Sequence, residues 1–161
     1  MTTSAVPETH LAAWRAVLNA HASVVARAEA ALAAAELPPL AWYDVLWAIR
    51  RAPVRRIRMA ELAASLTISR GGLTKLADRL ESAGLIRREP ADNDGRGLYA
   101  VLTADGNTLL RRMWPVYSRV LRETFVSAIN AEEAAVIAAA LARVTDPANN
   151  QEPKSGSQDR R

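Results

Sequence analysis

The sequence predicts a mainly α-helical fold with a small β-hairpin, and three observations predict it. Apolar residues recur at helical spacing through most of the chain. Two short helical stretches meet across a tight turn between residues 59 and 84. The second is followed by two strand-like segments joined by a turn rich in glycine and acidic residues.

At 161 residues the chain is expected to form one domain, or one core with helical extensions. Half of it is apolar and 24% is charged, as in ordinary globular proteins. No apolar run approaches the roughly 18–20 residues that cross a bilayer. The start, MTTSAVPETH, lacks the basic and apolar stretches of a signal peptide, so a cytoplasmic location is expected, with no membrane partner. The absence of cysteine excludes disulfides, thiolate metal sites and thiol switches. His10 and His21 are too few for a metal cluster, and no cofactor is expected.

The net charge of +4 is unevenly placed. Residues 50–96 hold ten arginines and Lys75 against six acids, a surplus of five, so the rest of the chain sums to −1. Arginine's planar donor fork suits phosphates and guanine edges better than lysine does. A merely solvated basic face is the plainer explanation.

In chain order, residues 8–35 read as a long helix with a stripe of Leu11, Trp14, Leu18, His21, Val25, Ala28 and Leu32. The stripe begins so near the terminus that another part of the fold, or a second subunit, is needed to cover it. Pro38-Pro39 ends this helix. A second helix, about 40–50, carries Trp42, Val45, Leu46 and Ile49, and Ala52-Pro53 closes it. RMAELAASL follows as a short helix with Leu62, Ala63 and Leu66 inward. After the turn TIS, Ser69 is placed to cap the next helix. That helix, RGGLTKLADRLESAG, sets Leu73, Leu76, Ala77 and Leu80 on one side, with Arg70, Gly71, Lys75, Asp78 and Arg79 on the other or at its edge. Gly84 ends it in the left-handed region. LIRRE (85–89) and LYAVLT (98–103) read as strands around the turn ADNDGRG. Helix, turn, helix and hairpin in this order describe a winged helix-turn-helix. Thr103 caps a long helix, about 104–129, with a kink expected at Pro115. Asn130 and Glu133 open a last helix, about 131–144, with a capping-box pattern. From Asp146 the tail is polar, holds Pro and Gly, and is expected to be disordered.

The run MAELAASLTISRGGLTKLADRLESAGLIRREP, followed by DNDGRGLYAVLT, resembles the MarR family of transcription regulators. The most specific part is the wing with Asp94, Arg96 and Gly97, followed by Leu102-Thr103. The order of helices agrees from about residue 8 to 145. The resemblance implies a MarR-like homodimer, triangular in outline. Residues 1–36 and 104–145 would form the helical dimerisation region and 37–103 the DNA-binding lobe, with 146–161 a disordered tail. A stripe of Ala134, Ile137, Ala138 and Leu141 on the last helix agrees with such an interface. Packing of both stripes within one monomer is the alternative.

Under this resemblance the helix 69–83 enters the major groove by its N-terminal end. Ser69, Arg70, Thr74 and Lys75 stand there, and Gly71 and Gly72 let the backbone approach the DNA. Each glycine weakens the helix by roughly 1 kcal/mol against alanine, a cost better understood at a contact surface. Arg79 is expected to meet phosphate, and Asp78 to orient Arg79 or another arginine. Arg96 on its glycine-flanked turn suits the narrow minor groove, with Asp94 holding the guanidinium. An ordinary charged hairpin tip is the alternative. A homodimer would prefer a near-palindromic operator in double-stranded DNA.

MarR-like regulators commonly release DNA on binding a small, often anionic aromatic compound. Trp14, Arg15 and His21 on the first helix, and Met113 on the long one, are the candidate ligand residues. A guanidinium beside an apolar cleft can hold a carboxylate, and a histidine can bond a phenol. The first helix with PPLAWYDVL after it is similar to regulators that sense hydroxybenzoates. A small aromatic carboxylate such as protocatechuate is therefore the expected effector, and repression of aromatic-acid breakdown the expected role. Core packing of the same residues is the alternative, which leaves a ligand-independent regulator. A winged-helix protein-interaction module is a further rival. No nucleophile–base pairing, metal spacing or phosphate loop appears, so no enzyme activity is expected.

Overall fold

The computed structural model describes residues 5–66, 69–91 and 97–146, for Arg70 the backbone only. Helix α1 (Glu8–Ala34) stops where Glu36 adopts a φ of 53°, which lets the Leu37 N–H return to the Leu32 carbonyl at 2.9 Å. Helix α2 (Leu40–Arg51) starts behind Pro39, which offers no side-chain cap. Glu29 of α1 takes that role, its Oε1 accepting from the Leu40 N–H at 3.1 Å. This bond ties the start of α2 to α1.

A 3-10 turn (Pro53–Arg55) follows, with Val54 and Arg55 both at positive φ. It leads into β1 (Arg56–Arg58), a strand that the sequence reading did not anticipate. Three residues are too few for an alternating pattern to stand out. Helix α3 (Met59–Ser65) and helix α4 (Arg70–Ser82) come next, then β2 (Ile86–Pro90) and β3 (Leu98–Leu102). The expected hairpin is therefore part of a three-stranded antiparallel sheet in the order β1-β3-β2. Gly84, at φ 72°, makes the left-handed exit from α4.

Helix α5 (Ala104–Leu121) continues through Pro115 as helix. Pro115 and Arg111 are both exposed, so water can meet the carbonyl that the proline leaves unbonded. The irregularity lies farther on, where Arg122–Val126 form a π-helical turn. Helix α6 (Ala131–Thr145) starts with the expected capping box: Asn130 Oδ1 accepts from the Glu133 N–H, and Glu133 accepts from the Asn130 N–H. No single helix among the described residues is long and apolar enough to cross a membrane.

Leu32, Val45, Leu46, Ile49, Leu62, Leu73, Leu80, Ile86, Leu110 and Met113 fill the centre of the core. The stripe on α1 divides. Ala28 and Leu32 are buried at its C-terminal end, whereas Trp14 and Leu18 are 57% and 48% exposed. Helix α6 buries no residue completely.

The tightest joint seats α5 on the start of the wing. The Thr103 hydroxyl lies 2.8 Å from the Gly84 carbonyl and 2.9 Å from that of Leu85, and it accepts the Gly106 N–H at 3.0 Å. A Cβ on Gly106 would stand 2.1 Å from the Leu85 oxygen and 2.8 Å from Leu102 Cδ1. Only glycine allows this approach. Gly106→Ala is expected to destabilise the chain by about 1–3 kcal/mol or more, as overpacking against backbone does. Urea denaturation of both proteins checks this, and an unchanged midpoint contradicts the joint.

Candidate nucleic-acid interface

Helix α4 separates its two faces cleanly. Leu73, Ala77 and Leu80 are buried, while Gly71, Gly72, Thr74, Lys75, Asp78 and Arg79 are exposed. Ser69 caps the helix, its Oγ accepting from the Gly72 N–H at 3.1 Å. A Cβ on Gly71 would meet nothing within 4 Å. The protein's own packing therefore does not require that glycine, and the small residue leaves the backbone open on the outer side. Ser69, Gly71, Gly72, Thr74, Lys75 and Arg79 are thus brought onto the helix that the sequence predicted. Arg70 opens the same helix. Asp94 and Arg96 lie outside the described residues.

A polar clamp fixes this helix against the sheet. Side chains alternate along a strand, and Arg88 of β2 falls on the same face as buried Ile86, toward α4. Its Nε and Nη2 reach Glu81 Oε2 at 2.8 and 2.5 Å, and its Nη1 reaches Asp78 Oδ1 at 2.8 Å. The Arg88 backbone N–H donates to Glu81 Oε1 at 2.8 Å. The arginine that Asp78 orients is therefore Arg88, not Arg79. The side-chain bonds from Arg88, with the backbone bond next, hold the Glu81 carboxyl below its ordinary 4.5.

The other face of the sheet carries cations. Arg56 and Arg58 of β1 lie over the Tyr99 ring, at 3.9 and 5.3 Å from its centroid. Glu89 accepts from Arg87 Nε at 2.6 Å and stands 3.9 Å from Arg56. Sequence reasoning counted these arginines in the basic block but gave them no place. A cleft of about 350 Å³ opens between the wing and the helices, lined among others by Arg58, Met59, Leu73, Thr74, Arg88 and Leu98.

The structure does not bring the four predicted effector residues to one place. Trp14, Arg15 and His21 are exposed on α1, whereas Met113 is wholly buried in the core. An aromatic group joins α2 to α5 instead. Tyr43 stacks with Trp47 at 6.1 Å and with Trp114 at 6.3 Å, and meets Tyr117 edge-on at 5.3 Å. Burial pushes the Tyr43 and Tyr117 phenols above their ordinary values, which keeps both protonated. Trp47 and Trp114 are partly exposed.

Helix α3 followed by the capped helix α4, with a three-stranded antiparallel sheet clamped to the second helix, defines a winged helix-turn-helix protein. Comparison with known proteins narrows that class. A model described as MarR family matches residues 36–97. The multiple antibiotic resistance protein MarR of Escherichia coli is 31% identical over 104 residues, 65% of this chain and 71% of that protein. The transcriptional repressor MprA of Escherichia coli is 38% identical over 77 residues, 48% of this chain, and the match spans 43% of MprA's length. Among solved structures, Sco3205, a MarR family transcriptional regulator from Streptomyces coelicolor in complex with DNA, has a TM-score of 0.78. Its identity is 27%, and 96% of each chain is covered. The chain belongs to the MarR family. Members of this family are transcriptional regulators and not enzymes.

The clamp has a signature in acid. A carboxyl whose folded pKa is depressed contributes stability above its unfolded pKa, and loses it as pH falls through the folded value. Arg88→Met is expected to be less stable than wild type near neutrality. The difference should shrink as pH drops from about 7 to about 3. Urea midpoints across that range measure it, and a gap independent of pH contradicts the clamp.

Proposed function

We propose that the chain is a DNA-binding transcriptional regulator that works as a homodimer on a near-palindromic operator. In this reading it represses genes for aromatic-acid breakdown and leaves DNA when a phenolic acid such as protocatechuate binds. The observation that carries the DNA reading is the outer face of α4, where small and cationic residues stand open over a fully packed inner face. The similarity to a regulator solved in complex with DNA supports it. Lys75 and Arg79 supply charge for phosphates, and Thr74 offers a hydroxyl to a base edge. Arg96, with Asp94, is proposed for the minor groove, where losing one arginine costs about 1–3 kcal/mol.

Dimerisation is supported by apolar surface that is left uncovered among the described residues. Trp14 and Leu18 on α1, and Val136, Leu141 and Val144 on α6, are all exposed. A second copy is the proposed cover, and it also brings a second α4 to the other half of a palindrome.

The effector reading assigns the carboxylate to Arg15, a phenol to His21 and ring contacts to Trp14 and Met113. Exposed tryptophan faces beside neutral Tyr43 and Tyr117 support an aromatic ligand near α2 and α5. The ligand acts only if it favours the form that does not bind DNA. A second reading, a ligand-independent regulator, is favoured by the complete burial of Met113 away from the exposed Arg15.

The test is binding to a duplex selected from a random pool, titrated with protocatechuate, salicylate and benzoate. The expected result is release by one of the acids from wild type, and failure of release from Arg15→Ala. Retention of DNA by wild type in every acid contradicts the effector role and leaves the ligand-independent regulator.

A further inference from the structure

Four arginines stand on β1 and β2, and three of them approach carboxylates. Arg88 is held by Glu81 and Asp78, Arg87 by Glu89, and Arg56 lies 3.9 Å from Glu89. Arg58 differs. Among the described residues it meets no carboxylate and makes no hydrogen bond. It lies over the Tyr99 ring, which it shares with Arg56, at 5.3 Å from the centroid. Arg56 is two residues away on the same face of the strand, so the two cations repel.

The place of Arg58 is fixed from both sides. It pairs with Tyr99 in the sheet, and the next residue, Met59, begins α3. Its side chain is partly buried and reaches the neck of the wing, which the Ala91 N–H closes on the Gly97 carbonyl at 2.9 Å. A Cβ on Gly97 would stand 3.3 Å from Arg58 Nη1. Arg58 also lines the cleft of about 350 Å³ that separates Thr74 on α4 from Gly97 and Leu98 at the base of the wing. A cation with a pinned backbone, its head resting on a ring, has little rotamer freedom left to lose on binding.

In duplex DNA one sugar-phosphate strand separates each major groove from the adjacent minor groove. A helix in one groove and a wing in the next straddle that strand, and the residues between them face its phosphates. We propose that Arg58 binds a phosphate of the strand that runs between α4 and the wing. This rests on the reading that α4 enters the major groove and the wing the minor groove. Tyr99 is the positioning residue. Its ring face holds the guanidinium without using the N–H donors, which stay available to phosphate oxygens. A carboxylate in the place of the ring would neutralise the charge, as Glu81 and Asp78 do for Arg88. A phosphate is the same beneath every base, so Arg58 adds affinity and register but no base preference.

The test sets Arg58→Met, which keeps the apolar stem, against duplexes in which single phosphates are replaced by uncharged methylphosphonates. On the unmodified selected duplex the variant should bind about tenfold more weakly than wild type. Its salt slope should fall by about one, and the loss should be equal on duplexes with altered bases. A methylphosphonate in the strand between α4 and the wing should weaken wild type and leave Arg58→Met unaffected. Arg58→Lys should restore the slope. Circular dichroism checks the fold, and Arg58→Gln, which keeps a polar head, is measured alongside. A wild-type slope in Arg58→Met and Arg58→Gln overturns the assignment, even where Lys75→Ala behaves as a phosphate contact. Sensitivity of both variants to every methylphosphonate that weakens wild type overturns it too, and so does an affinity loss without a change in slope, the mark of a purely structural role. Wild type that binds duplex with no salt dependence overturns the reading of α4 and the wing, and the proposal with it.

Discussion

The bonds between Arg88 and Glu81 decide where the outer face of α4 points. Apolar packing of Leu73, Ala77 and Leu80 attaches the helix to the core but fixes its roll only loosely, because dispersion contacts are non-directional. Arg88, which holds Glu81 by its guanidinium and its backbone N–H and Asp78 by the same guanidinium, adds direction. That arginine is aimed by the pleat of β2, which is paired residue by residue with β3. The end of β3 passes into Thr103, whose hydroxyl bridges the exit of α4 and the first turn of α5. The exposed face of α4, the wing and the long helix are therefore one mechanical unit, and Gly106 is where its parts come closest.

Charge is arranged around this unit in a way that composition alone does not reveal. On the inner face of the sheet Arg88 is neutralised by two acids. On the outer face Arg56 and Arg87 approach Glu89 and Arg56 and Arg58 lie over the Tyr99 ring, which sets a row of cationic side chains on the sheet. Lys75 and Arg79 extend it along α4. A cationic surface of this kind gains affinity for a phosphate backbone through release of condensed counterions.

Much of this was legible in the sequence where a local rule decides. Ser69, Thr103 and Asn130 announced their helix starts because a short polar side chain before an apolar stripe has few other uses. Gly84 announced the exit from α4, and alternation of apolar residues separated its buried and exposed faces. What remained hidden depends on partners distant in sequence. Strand β1 is three residues long and exists because β3 pairs with it. The clamp needed the register of β2 against β3 before Arg88 could be aimed at Asp78. The role of Gly106 needed the position of the Leu85 carbonyl. The α1 stripe was visible as a stripe, but which half of it enters the core depends on where α5 crosses it.

The measurement that most directly tests whether the outer face of α4 engages duplex DNA is the salt dependence of binding, for wild type and for Lys75→Ala. On a selected duplex, log affinity should fall steeply and linearly with log salt, by about 0.9 per phosphate neutralised. Lys75→Ala should weaken binding and lower that slope by about one. A flat dependence, or a slope and affinity unchanged by removing Lys75, would contradict the assignment of this helix as the surface that binds DNA.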